Sequence, residues 1–243
     1  MSAPPEPAFA NLSLHVEAGV ARLQLNRPQT LNAMAPGLLD DLHQALRGLQ
    51  RDDAVRALVL SGAGKAFCSG ADLSVDLGGT TRAERAEAGA RQLQDIINPL
   101  AGLIQGLPFP VISAVHGAAA GAGASLALAA DIVLAARSAY FLFPFMPRLG
   151  ILPDLGATWH LQRRLGPARA MAVSITGERI DGATAAEWGL IWRCVEDSQL
   201  EEQSLALAAR LAAGPRQAAP ELRAALRAAD ANDLDAQLDY EYQ

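Results

Sequence analysis

Two short segments and one carboxylate hold the residues whose types and spacing could do chemistry. The first segment is Gly64-Lys65-Ala66-Phe67-Cys68-Ser69-Gly70-Ala71-Asp72-Leu73, and the second is His116-Gly117-Ala118-Ala119-Ala120-Gly121-Ala122-Gly123-Ala124-Ser125-Leu126. Both put small residues directly after an apolar run, where backbone can approach a ligand closely. The second leads into a helix, whose first N–H groups lack internal partners and carry partial positive charge. Such donors suit an oxygen that becomes negative during a reaction. The same residues also fit plain close packing of helix against sheet. A third reading, dinucleotide binding, is suggested by Gly117-x-x-x-Gly121-x-Gly123. It needs an acidic residue near the end of the following strand, but Asp131 precedes that strand and Arg137 follows it.

The carboxylate is Asp154, directly after Leu152-Pro153 and in a loop before a helix around Trp159. It could move a proton beside a stabilised carbonyl, or it could simply cap the helix. On the residues alone, the cap is the favoured reading. Cys68 and His116 could form a thiolate–imidazole pair for acyl transfer, although cysteine among Ala, Phe and Ser reads better as a small core residue. The four histidines (15, 43, 116 and 160) lack metal-ligand spacing, so no metal is expected. Arg163, Arg164 and Arg169 read as a solvated basic face or an interface, with a phosphate contact as the alternative.

These residues need elements to position them. Leu12–Glu17 and Val20–Leu25 alternate apolar and polar around Gly19, predicting a hairpin. Leu38, Leu39, Leu42, Leu46 and Leu49 give helical spacing over Met34–Arg51. Buried strands are expected at Ala57–Ser61, Val111–Val115 and Ile132–Ala135, a long helix bent near Pro99 over Thr81–Gln105, and a short helix over Gly123–Ala130. From His160 onward the pattern is helical except near Leu190–Val195. The expectation is an α/β core over 1–195 followed by a helical C-terminal region over 196–243. A strand, glycine turn and helix recur twice, at Leu58–Gly64 and Val111–Gly123.

Composition bounds the rest. The chain has 243 residues, 51% hydrophobic and 19% charged, the balance of one globular core. A net charge of −6 argues against broad binding to a nucleic-acid backbone. Two cysteines are too few for a disulfide framework and fit a reducing, cytoplasmic setting. Met1–Ala10 lacks the basic and apolar regions of a signal peptide. Val111–Ala136 is nearly all apolar, but its glycines favour a buried segment over a membrane span, so no membrane partner is expected.

Taken together, the segments resemble the crotonase superfamily, the enoyl-CoA hydratases and isomerases. The resemblance runs from Leu25-Asn26-Arg27-Pro28 and Leu31-Asn32-Ala33-Met34 through both glycine turns. It continues at Leu149-Gly150-Ile151-Leu152-Pro153-Asp154 and Thr176-Gly177-Glu178-Arg179-Ile180. It implies a spiral of ββα units and a helical C-terminal region that assembles a homotrimer or hexamer. It implies an acyl-CoA substrate, coenzyme A being part of that substrate and no other cofactor being needed. It places the N–H groups of Ala71 and Ala122 in an oxyanion hole, and Leu31, Ala33, Ala66, Ser69, Gly70, Asp72, Leu73 and Gly121 around CoA and substrate. Gln29 stands where some relatives carry a phosphate-binding lysine. Near Leu234–Asp239, relatives still have a final helix to come.

Hydratases of the family use two glutamates, which would align with Ser125 and with Phe145 or Met146; all three are neutral. The chain also resembles a subfamily of isomerases that act on a ring epoxide of phenylacetyl-CoA. The resemblance lies in Asp131-Ile132-Val133-Leu134-Ala135-Ala136-Arg137, Pro153-Asp154 with Trp159, and Glu187-Trp188-Gly189-Leu190-Ile191-Trp192. In that subfamily the aspartate at the position of Asp154 shuttles the proton, which reverses the preference for a cap. Isomerisation is therefore expected, with hydration and non-catalytic acyl-CoA binding as the alternatives.

Overall fold

The computed structural model describes residues 9–76 and 78–242, without the side chains of Arg82 and Ala86. Most of the N-terminal stretch read as lacking a signal peptide lies outside the described residues. The hairpin forms as expected: β1 (Leu12–Glu17) pairs antiparallel with β2 (Val20–Leu25), in the register Leu12↔Leu25. Helix α1 (Pro36–Arg51) starts two residues later than the apolar spacing suggested, because Pro36 occupies its first turn, where a missing N–H costs nothing. It turns Leu38, Leu39, Leu42, Leu46 and Leu49 into the core.

β3 (Ala57–Gly62) begins a unit that recurs. It is followed by β4 (Ala66–Cys68) and a helical stretch, α2 (Arg82–Gln92) and α3 (Asn98–Gln105). β5 (Val111–Val115), β6 (Ala118–Ala120) and α4 (Ala122–Leu128) form the second unit. β7 (Ile132–Ala136), β8 (Tyr140–Leu142) and α5 (Ala157–Thr176) form the third. The first strands of the units lie side by side in a six-stranded sheet, β1-β2-β3-β5-β7-β10. The second strands do the same in a four-stranded sheet, β4-β6-β8-β9. β9 (Ile180–Asp181), α6 (Gly182–Glu187) and β10 (Arg193–Val195) close the two sheets. The chain thus climbs as a spiral of ββα units, parallel within each sheet apart from β1 and β9.

Both faces of the larger sheet are covered, which explains strands without alternation. Leu58 and Leu60 face the main core, while Ala57 and Val59 face Leu200, Leu207 and Ala208 of α7 (Leu200–Ala212). Helices α8 (Ala218–Ala228) and α9 (Leu234–Tyr242) follow. Asp131 does not hold a ribose: its two carboxylate oxygens accept from Arg223 of α8 at 2.6 Å each, and one also accepts from the Val111 N–H at 2.8 Å.

One expectation is corrected. The long helix does not bend at Pro99 alone; a π turn at Leu93–Ile97 separates α2 from α3 and places Pro99 in the first turn of α3. The Val111–Ala136 run is two strands, a helix and a third strand, and among the described residues no helix is long and apolar enough to cross a membrane.

Candidate active site

The first glycine turn is held by the strand-like segment before α1. Met34 bridges Ala71 in parallel: its N–H donates to the Gly70 carbonyl at 2.8 Å, and its carbonyl accepts from the Asp72 N–H at 3.1 Å. Extended backbone alternates its polar groups, so the N–H of Ala71 points away from Met34. The Ser69 N–H donates to the Leu31 carbonyl at 3.0 Å, extending the same tie.

The second turn meets the first closely. Gly70 has φ +100°, and a Cβ there would lie 2.7 Å from the Ala120 oxygen and 3.3 Å from the Ala122 nitrogen. A Cβ on Gly123 would lie 2.2 Å from the Cys68 oxygen, so α4 can sit this near β4 only with glycine at that position. Ala122 is the first residue of α4, behind Gly121 at φ 51° and ψ −130°. Its N–H has no partner within the helix. Two backbone donors, on Ala71 and Ala122, are therefore presented by neighbouring turns.

Asp154 completes the arrangement. It is 6% exposed, and its Oδ1 is buried without a hydrogen-bond partner. Burial pushes its pKa up to about 6, against weaker pulls from the Ser125 hydroxyl and its own N–H. Ser125, buried on α4, donates its hydroxyl to the Gly121 carbonyl at 3.2 Å. Cys68 also feels the charge of Asp154. The carboxylate, Ser125 and Cys68 are thus gathered behind the two turns. The cap reading of Asp154 fails, because Gly156 is the N-cap of α5 and no side chain caps it. The Ala157 N–H goes instead to the Asp154 backbone oxygen at 2.9 Å.

The remaining residues named from the sequence fall into two groups. Ala33, Ala66, Gly70 and Gly121 are buried at the turns, whereas Leu31 and Leu73 are 43% and 75% exposed beside them. Ser69 is half-buried and donates its hydroxyl to the Thr30 carbonyl at 3.3 Å. Asp72 accepts from the Ser74 hydroxyl at 2.6 Å and the Ser74 N–H at 3.2 Å, and it pairs with Arg27 at 3.3 Å. Those bonds, led by the Ser74 hydroxyl, hold it below its ordinary value.

The thiolate–imidazole pair does not form. The Cys68 thiol donates to the Asn32 carbonyl at 3.1 Å and burial pushes its pKa up to about 12, while the His116 ring bonds to the Gly64 carbonyl at 3.0 Å. On the basic face, Arg163 and Arg169 are exposed, as a solvated face requires, whereas Arg164 is half-buried. Arg164 donates to the carbonyls of Leu128, Ala130 and Leu190. Arg163 pairs with Asp230 at 2.8 Å and stacks on Trp159, and Arg169 lies over Trp188.

Asn32 lies in the segment Leu31-Asn32-Ala33-Met34, where the resemblance assigns it no role. It is fully buried, and its amide donates to the carbonyls of Ala63, Ala66 and Phe67 at 2.9, 2.8 and 3.2 Å. Its Oδ1 accepts from the Arg27 N–H at 2.9 Å. It clasps the strand that carries the first turn. Asparagine's tolerance of the left-handed region, where Asn32 sits at φ 57°, is the signal that could have marked it.

Paired parallel sheets climbed by ββα units, with two glycine turns packed closely against each other, define the class of crotonase folds. Residues 15–243 match the enoyl-CoA hydratase/isomerase family model. The chain is 43% identical over 227 residues to the 1,2-epoxyphenylacetyl-CoA isomerase of Escherichia coli (strain K12), covering 93% of this chain and 86% of the relative. It is 41% identical over 231 residues to a protein of Rhodobacter capsulatus named probable enoyl-CoA hydratase, covering 95% and 86%. The crystal structure of an enoyl-CoA hydratase from Bacillus anthracis superposes with a TM-score of 0.85 at 31% identity, covering 96% of this chain and 88% of that one. The chain belongs to the enoyl-CoA hydratase/isomerase family.

Proposed function

We propose that the protein is an acyl-CoA isomerase that moves a proton with one carboxylate, Asp154, while the N–H groups of Ala71 and Ala122 hold the thioester oxygen. The observation that carries this reading is Asp154 itself: buried, lacking a partner at Oδ1, and flanked by the neutral Ser125. For a 3-enoyl-CoA, the ionised carboxylate removes a proton from C2, and the electron pair moves onto the thioester oxygen. Two backbone donors at that oxygen stabilise charge that exists only along the reaction, which is where binding accelerates chemistry. The resulting carboxylic acid returns the proton to C4, leaving the double bond between C2 and C3. No second acid or base is required. A carboxylate whose proton affinity is raised is also a stronger base, while remaining ionised above pH about 6.

The exposed Leu31 and Leu73 offer apolar surface beside the turns for the pantetheine arm. The similarity to the Escherichia coli isomerase supports a ring-epoxide or unsaturated aromatic acyl-CoA as substrate. In this reading coenzyme A arrives with the substrate and no other cofactor takes part. The test is to mix the protein with 3-hexenoyl-CoA and with crotonyl-CoA and to follow absorbance and mass. Double-bond migration without gain of mass, lost in Asp154→Asn, is the expected result. Addition of water to crotonyl-CoA would make the protein a hydratase. Binding of both esters with no change in either would leave an acyl-CoA-binding protein.

A further inference from the structure

The segment that carries Asp154 is wound in a way its own residues do not favour. Leu155 is fully buried at φ 48°, and Gly156 follows at φ 72°. The left-handed region crowds Cβ against the next carbonyl, so a leucine stays there only when its surroundings impose it. Leu152-Pro153 precedes, and no side chain caps α5. Local bonding includes the Ala157 N–H donating to the Asp154 oxygen at 2.9 Å. The bond that joins this segment to another element comes from α3: Asn98 Oδ1 accepts from the Leu155 N–H at 2.9 Å. Asn98 is the first residue of α3, immediately after the π turn at Leu93–Ile97. π turns shift the phase of a helix and often mark functional places. Here the shift determines where the side chain of Asn98 emerges, 57 positions in sequence from its partner.

We infer that Asn98 is a positioning residue whose carboxamide oxygen fixes the left-handed turn at Leu155 and thereby aims the carboxylate of Asp154 between the two glycine turns. The inference rests on Asp154 as the proton shuttle. It adds that the aim of that shuttle is set from a different helix, through one side chain that no motif marks. Asn98 is solvent-exposed, so replacing it leaves the core untouched. Misplacing a reacting group by about 1 Å can cost roughly a hundredfold. The titratable group beside Asp154 is the thiol of Cys68, pushed up to about 12 and therefore neutral throughout the working range.

Asn98→Leu removes the acceptor, whereas Asn98→Asp keeps an acceptor in place and adds a negative charge one peptide unit from Asp154. Both are assayed on 3-hexenoyl-CoA beside the unaltered protein and Asp154→Asn, and the carboxyl of Asp154 is titrated by 13C NMR in the proteins that retain it. The expected result for Asn98→Leu is a kcat lower by about 10- to 100-fold, with KM and melting temperature nearly unchanged. Its Asp154 carboxyl should titrate lower as the loop relaxes toward water. Asn98→Asp should keep most of its kcat at high pH, with the acid limb of its rate profile and the Asp154 titration both moved upward. A wild-type kcat and titration in Asn98→Leu would overturn the inference, as would equal losses in the two variants. Full activity of Asp154→Asn would sink the shuttle itself, whereas an inactive Asp154→Asn beside a normal Asn98→Leu would sink only the positioning role. Should the unaltered protein not turn over this ester, the titrations alone decide whether Asn98 fixes Asp154.

Discussion

Two carboxylates stand at this site in opposite surroundings. Asp72 follows the first glycine turn and is fully employed, bonded by Ser74 and paired with Arg27, which keeps its pKa below the ordinary value. Asp154 comes from a loop 82 positions later, and its Oδ1 has no bond at all, so burial lifts its pKa to about 6. The difference teaches that distance from the glycine turns in sequence says nothing about a carboxylate's proton affinity. A group with both oxygens bonded anchors a turn. One that is desolvated with an oxygen left unbonded is a stored cost to the fold, of the kind that active sites keep.

The sharpest way to break the comparison is to neutralise each group in turn. Asp154→Asn should lower kcat by about a thousandfold, within the range for general acid–base catalysis, while Asp72→Asn should cost under about tenfold and act mainly on KM. Equal losses in steady-state kinetics would show that the contrast in surroundings has no chemical meaning.

Stability should run the other way. The folded pKa of Asp154 is raised, so folded protein holds its proton more tightly than unfolded chain between pH about 4 and about 6, and stability falls as pH rises through that window. Asp154→Asn removes a penalty worth roughly 2–3 kcal/mol at pH 8 and should unfold at higher urea. Asp72 has a lowered folded pKa, so its contribution is present above its ordinary value and lost on acidification. Asp72→Asn should therefore unfold at lower urea, by about 1 kcal/mol for the lost bonds. A urea midpoint that fell in both variants would contradict the sign assigned to Asp154.

The rate profile refines this further. Isomerisation should rise through pH about 6 and then level, because the base must be ionised; a flat profile from pH 5 to 8 would exclude Asp154 as the titrating base. The smallest effect is expected at Ser125, whose hydroxyl helps to hold the charged form of Asp154. Ser125→Ala should move the acid limb upward, and a downward shift would show that the hydroxyl favours the protonated acid instead.

Legibility differed between the layers of the fold for a physical reason. The hairpin, α1 and the strands β3, β5 and β7 each bury a periodic or continuous apolar run, so their own residues announce them. The second sheet was implied by the resemblance to ββα spirals but could not be read from periodicity. Its strands β4, β6, β8 and β9 have two or three residues each, and Ala118-Ala119-Ala120 has no alternation to read. They are strands because partners far along the chain lie beside them, as Ala119 lies beside Cys68 and Phe141. Within the site, the two turns were legible from their glycines and Asp154 from its resemblance to family members, but Asn32 and Asn98 were not, since each works through partners more than 30 positions away.

What the sequence by itself determined is therefore the family, the order of the larger elements, and the small residues that let two turns approach a ligand. Those depend on local spacing, on side-chain size and on motifs that survive as text. What only the tertiary structure decided is the state of the charges: that Asp72 is tied down, that Cys68 stays a thiol, that the arginines of α5 are already engaged, and that Asp154 is buried with a lone pair to spare. Proton affinity follows from the water a group loses and the donors it gains, and both are properties of three-dimensional surroundings rather than of residue order.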